Sequence, residues 1–124
     1  MDFKEIKSVD VLGTTYSIEF KDLNDDEYAK KNNYGGYCDK IKKGIVVINY
    51  NSLEGCENDS KERCEMGEKH ILRHELIHAY LTESGLSASS LQCSFGWAEN
   101  EEMVDWLAIQ LPKIYKTFNE LGIL

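Results

Sequence analysis

Polar and apolar positions alternate early in the chain. Tyr16, Ile18 and Phe20 are spaced by Ser17 and Glu19, a period of two that marks a strand with one buried face. The pattern predicts β structure over residues 3–20, with Gly13-Thr14 as the turn before the alternating strand. Asn24 is placed to cap a short helix over residues 25–31, with acids in its first turn and lysines in its last. Asn32-Asn33 and Gly35-Gly36 then interrupt the chain. Residues 37–49 read as a hairpin that turns within 39–44. Its second arm, 45–49, opens with Ile45-Val46-Val47-Ile48, a β-branched run that suits a strand buried on both faces.

After a polar loop over residues 51–60 the period changes. Met66, Ile71, Leu72, Leu76, Ile77, Tyr80 and Leu81 recur at steps of three and four. They predict one long helix, capped by Asp59 or Ser60 and running to about Glu83, with Ser84-Gly85 as its stop. Residues 87–94 read as a loop and 97–111 as a second helix, with Glu99, Glu101 and Glu102 near its N-terminus. Pro112 has no N–H to continue that helix. It is expected to open a separate short helix over 113–121, closed by Gly122. Strands come first and helices after, so the expected fold is α+β: a small antiparallel or mixed sheet packed on two helices.

Composition narrows the class. A chain of 124 residues fits one domain, 1–124, long enough to bury a core without staples. Its 14 basic and 22 acidic side chains leave a net charge of −8, so a nucleic-acid partner is not expected. The first residues lack the apolar core of a signal peptide. The longest aliphatic run, 45–48, falls far short of the ~20 residues that span a bilayer. The expectation is a cytoplasmic protein with no membrane partner, either in the cell that makes it or in a host. Cys38, Cys56, Cys64 and Cys93 form no C-x-x-C pair, which suits reduced thiols in that compartment. Nothing in the chain sets an oligomeric state.

The strongest chemical signal is His74-Glu75-Leu76-Ile77-His78. Four residues advance a helix by about 400°, so both imidazoles lie on one face, about 6 Å apart along the axis. Two such rings can grip one zinc ion at about 2.0–2.1 Å per bond. Glu75 sits beside the ion rather than on it, placed to take a proton from a bound water. A third ligand must come from elsewhere. The remaining histidine, His70, lies one turn too early to share that ion, and no histidine follows. A carboxylate is left. Glu101 is the first choice, Glu102 and Glu99 are alternatives, and a Cys93 thiolate is a residual option. Glu101 and Asp105 share one helix face, so Asp105 is placed to hold the free N–H of a ligating imidazole.

These residues resemble a known pattern. Asn100-Glu101-x-x-x-Asp105 after the histidine motif is similar to that of the glutamate zincins. Size and layout resemble the ImmA/IrrE family of small metallopeptidases, often carried by phages and mobile elements. That family shares a Gly-rich hairpin, a strand like 44–49, the motif helix, and an acidic helix ending in Leu-Pro, here Leu111-Pro112. The resemblance covers residues 36–112. It implies a minimal zincin core, zinc held by His74, His78 and Glu101, Glu75 as general base, Asp105 as support, and a protein or peptide substrate. The family's usual Glu-Ala-Asn at the third ligand is Glu101-Glu102-Met103 here. The chain carries no attached helix-turn-helix, which favours a stand-alone catalytic core over a repressor-cleaving regulator.

Three further expectations concern the cleft. Tyr34, Tyr37 and Tyr50 are candidate donors to an oxyanion, while Trp97 and Trp106 read as core. The substrate backbone is expected to pair along the more polar arm of the hairpin, 36–39, with Tyr37 towards the metal. A rival reading keeps the zincin scaffold in a phage or mobile-element regulatory protein that acts by contact, without proteolysis.

Overall fold

The computed structural model describes residues 2–90 and 96–124. Four strands form one mixed sheet in the order β1-β2-β4-β3. The strands are β1 (Ser8–Val11), β2 (Thr14–Lys21), β3 (Gly36–Asp39) and β4 (Gly44–Ile48). Strands β1 and β2 pair antiparallel around Leu12-Gly13, whose φ values of 50° and 92° match the mirror-image turn that tight hairpins favour. Strands β2 and β4 are parallel, and β3 returns antiparallel on the outer side of β4. The expected β structure before residue 8 is absent: Phe3–Glu5 is a 3-10 turn capped by Asp2.

Helix α1 (Glu27–Asn32) is capped by Asp26, not Asn24, because Leu23–Asp25 already forms a 3-10 turn. The Asp26 carboxylate accepts from Ala29 N–H at 2.9 Å and from the Tyr37 hydroxyl at 2.7 Å. Helix α2 (Lys61–Glu83) starts at Ser60, whose Oγ accepts from Arg63 N–H. It is followed by Gly85 in the left-handed region. A short helix α3 (Leu86–Ser90) forms where a loop was expected, and the rest of that loop lies outside the described residues.

The sheet is packed on both faces. Ile18, Ile45, Val47 and Tyr16 meet Ala79, Leu72 and Leu76 of α2. Val46 and Ile48 meet Ala29 of α1 on the other side. Strand β4 is therefore buried on both faces, as its β-branched run predicts. Gly36 lets β3 come close to α2. A Cβ there would lie 2.5 Å from Ile71 Cγ2 and 2.9 Å from the Val46 carbonyl oxygen. The far end of α2 is tied to the sheet by Glu83, which accepts from Tyr16 at 2.7 Å, Thr14 at 2.9 Å and Lys43 at 2.9 Å.

Helix α4 (Glu101–Glu120) departs most from expectation. It begins at Asn100, after a 3-10 turn at Trp97–Glu99, and runs through Pro112 without a break. Pro112 cannot donate to the Ala108 carbonyl one turn back. The Arg73 side chain of α2 donates to that oxygen instead, Nε to O at 2.7 Å. Trp97 and Trp106 are exposed rather than core.

Candidate metal centre

Helices α2 and α4 run antiparallel, so the start of α4 faces the middle of α2. That alignment brings three ligand atoms together. His74 Nε2 lies 3.2 Å from His78 Nε2, and Glu101 Oε2 lies 2.9 Å from the first and 3.3 Å from the second. Atoms bound to one tetrahedral ion at 2.0–2.1 Å stand about 3.3 Å apart, so these separations match the edges of such a tetrahedron, slightly drawn in. His74, His78 and Glu101 are grouped as candidate metal ligands by this convergence.

Asp105 sets the chemistry of His74. Its Oδ1 lies 3.1 Å from His74 Nδ1. With Nδ1–H donating there, His74 Nε2 carries a bare lone pair. That lone pair faces a carboxylate oxygen at 2.9 Å. Two acceptors at that distance need positive charge between them, from a proton or a metal ion. The donor set of two imidazole nitrogens and one carboxylate is the kind that holds catalytic zinc while leaving a coordination position open.

His70 joins the same carboxylate. Its Nε2 lies 2.8 Å from Asp105 Oδ1, so one oxygen receives both imidazoles. These bonds, that of His70 foremost, hold the Asp105 carboxyl below its ordinary range. Burial pushes the His78 ring down and makes it hard to protonate. Glu75 is buried, and burial raises its carboxyl to about 7, with His74 opposing and Glu101 adding to the rise.

A cleft of about 460 Å³ runs over these groups, between β3 and the start of α4. Tyr34, Gly36, Cys38, Glu75, His78 and Glu101 are among its walls. A smaller space of about 180 Å³ continues past Gly35, His70 and Asp105. At the other end Lys40 bridges to Glu99 at 2.7 Å and to Ser87 at 2.8 Å. Burial works against the Glu99 charge, but Lys40 and Ser87 outweigh it and hold its carboxyl low. Glu99 is thus committed to Lys40, Glu102 is exposed, and Cys93 lies outside the described residues. Of the carboxylates weighed as third ligand, Glu101 is the one that meets both imidazoles.

Two tyrosines leave the list of oxyanion donors. The Tyr37 hydroxyl is given to Asp26, on the sheet face away from α2, so it does not point towards the histidines. Tyr50 packs over Gly67. Tyr34 and Tyr37 both line the cleft, and only Tyr34 has a hydroxyl not given to Asp26. Cys38 also lines the cleft, and burial, with the Glu75 charge beside it, pushes its thiol up to about 12. Cys38, Cys56 and Cys64 are free of disulfides. Among the described residues no helix is long and apolar enough to cross a membrane. Comparison of the chain with protein-family models, curated proteins and solved structures gave no match.

Proposed function

We propose that this chain is a small zinc-dependent metallopeptidase with a minimal zincin core, of the glutamate-zincin kind and similar to the ImmA/IrrE family. The observation that carries the reading is the convergence of His74, His78 and Glu101 beside the buried Glu75. His74 and His78 would hold zinc through Nε2, and Glu101 through its carboxylate. When bound, zinc supplies a Lewis acid that activates water and polarises a peptide carbonyl.

The rest of the chemistry belongs to the chain. Glu75 accepts the proton of the attacking water on its carboxylate and passes it to the leaving amine. Its raised range suits this exchange, and a neighbouring cation draws it back towards the ordinary value. Asp105 keeps the His74 proton on Nδ1 and the ring turned inwards. A protein or peptide substrate adds to β3, an edge strand of the sheet.

The test is metal content by mass spectrometry, together with cleavage of a peptide library. Wild type is expected to carry one zinc per chain, which His74→Ala, His78→Ala and Glu101→Ala lose. Full occupancy in Glu101→Ala, with loss in Glu99→Ala or Glu102→Ala, would move the third ligand. Glu75→Gln is expected to keep zinc while hydrolysis falls by roughly 10²–10⁴-fold. No cleavage by zinc-loaded wild type, with Glu75→Gln equally inactive, would give the case to the contact-acting rival.

A further inference from the structure

Exposed apolar surface is unevenly spread on this molecule. Half of the large hydrophobic side chains that stand exposed among the described residues lie after residue 105. Trp106 and Ile109 lie off to one side of α4, but Leu111, Phe118 and Leu121 share a face with Tyr115 beside it. At 100° per residue, Val104, Leu107, Leu111, Ile114, Phe118 and Leu121 fall on one stripe. The steps alternate three and four, the spacing of a seam between paired helices. The stripe starts inside the protein and emerges from it. Val104 is buried with Leu81 and Ile77 of α2. Leu111 and Phe118 are each 43% exposed, and Leu121 is 66% exposed.

Charge says what kind of surface can cover it. The chain carries −8, yet no acid borders the stripe. Gln110, Thr117 and Asn119 flank it, while Lys113, Lys116 and Glu120 project from the opposite side of the helix. The bordering residues offer nothing to a strongly charged partner or to an anionic membrane. They let two acidic molecules meet without like charges face to face. With Tyr115 on its shoulder the stripe offers roughly 500–600 Å² per copy. A pair then buries about 1,000–1,200 Å², the lower end for specific association.

We propose that two copies of this chain associate through the distal half of α4, stripe against stripe about a two-fold axis. The contact is self-complementary, with Leu111, Ile114, Phe118 and Leu121 of each copy meeting those of the other. Formation of the pair needs neither zinc nor an intact motif.

Sedimentation equilibrium of the full chain, from about 1 to 200 μM, tests this. The mass of wild type is expected to rise from that of one chain towards that of two. Leu111→Gln with Phe118→Gln should stay monomeric throughout, with an unchanged circular dichroism spectrum. Ile109→Gln, on the far side of α4, should associate like wild type. A wild type that remains one chain at every concentration overturns the proposal without reference to any variant. So does a pair that survives Leu111→Gln with Phe118→Gln, or one that Ile109→Gln abolishes. The readout is mass alone, so failure of the zinc reading leaves this result standing, and the reverse.

Discussion

Asp105 accepts two imidazoles on one oxygen, and that arrangement has energetic consequences. Asp105→Asn is expected to weaken zinc binding about 10–100-fold with the fold intact, read by competition with a chelator. His70→Ala should weaken it less, and should add nothing in the Asp105→Asn background, since His70 acts only through that carboxylate. Glu75 gives a second test, in metal-free protein. Its carboxyl lies at about 7 in the folded chain against an ordinary 4.5, so folding favours the neutral form. Stability is then lost as pH rises through that interval. Glu75→Gln should raise metal-free stability by about 3 kcal/mol near pH 8 and hardly at all near pH 4, as seen in denaturant melts. At this scale the sequence was legible where spacing is local: two histidines four apart, and Glu101 with Asp105 four apart. His70 was legible only as a helix-face or supporting histidine; that it shares the Asp105 oxygen with His74 was not. Nor was Tyr37, whose side of the sheet depends on the register of β3.

Pro112 is the lesson at the level of elements. A lone proline in a helical pattern predicts a break, and the break does not occur. The orphaned Ala108 carbonyl is met by Arg73, on a helix distant in sequence. Arg73→Met should therefore cost about 1–3 kcal/mol in a urea melt, the penalty of an unpaired buried acceptor. In a Pro112→Ala background the new N–H can serve Ala108, and the same substitution should cost clearly less. Elements whose signals are self-contained were read well: the β-branched β4, the Ser60 cap and the Gly85 stop. Glu83 joins α2 to the sheet, and its carboxyl is held at about 2 by Lys43 foremost, then by Tyr16 and Thr14. A lowered range means that the tie contributes above the ordinary 4.5 and is lost as pH falls towards 2. Glu83→Gln should lower the melting temperature at neutral pH and change little near pH 2.

For the whole molecule, the order of strands matters more than their number. The sheet is mixed because β2 and β4 run parallel, which leaves β3 on an edge beside the cleft. Ile48 N–H donates to the Gly35 carbonyl at 2.9 Å. Alternation then turns the backbone of Tyr37 towards β4 and that of Gly36 and Cys38 towards the open side. Cys38→Pro removes an outward N–H and no bond within the sheet. It should keep fold and zinc and raise KM for a peptide substrate, and an unchanged KM would place the substrate elsewhere. The order of elements gave the α+β class, and the short, polar arm 36–39 beside the β-branched 45–48 already marked this edge. That edge follows from which strands pair, and pairing is decided by burial on two faces at once.

Gly36 and Ile71 touch no candidate ligand, yet they govern how far β3 stands from α2. The glycine supplies no bulk, so the isoleucine side chain is the α2 group that stands nearest the strand there. An alanine at 36 would press on a backbone oxygen as well as on Ile71, and the strand would have to move outwards. A smaller residue at 71 would let the strand settle inwards. The gauge of the cleft is thus a packing property in which the contact of Ile71 with Gly35 and Gly36 is the tightest. A chain built this way can alter the girth of what it admits without changing a single group that does chemistry.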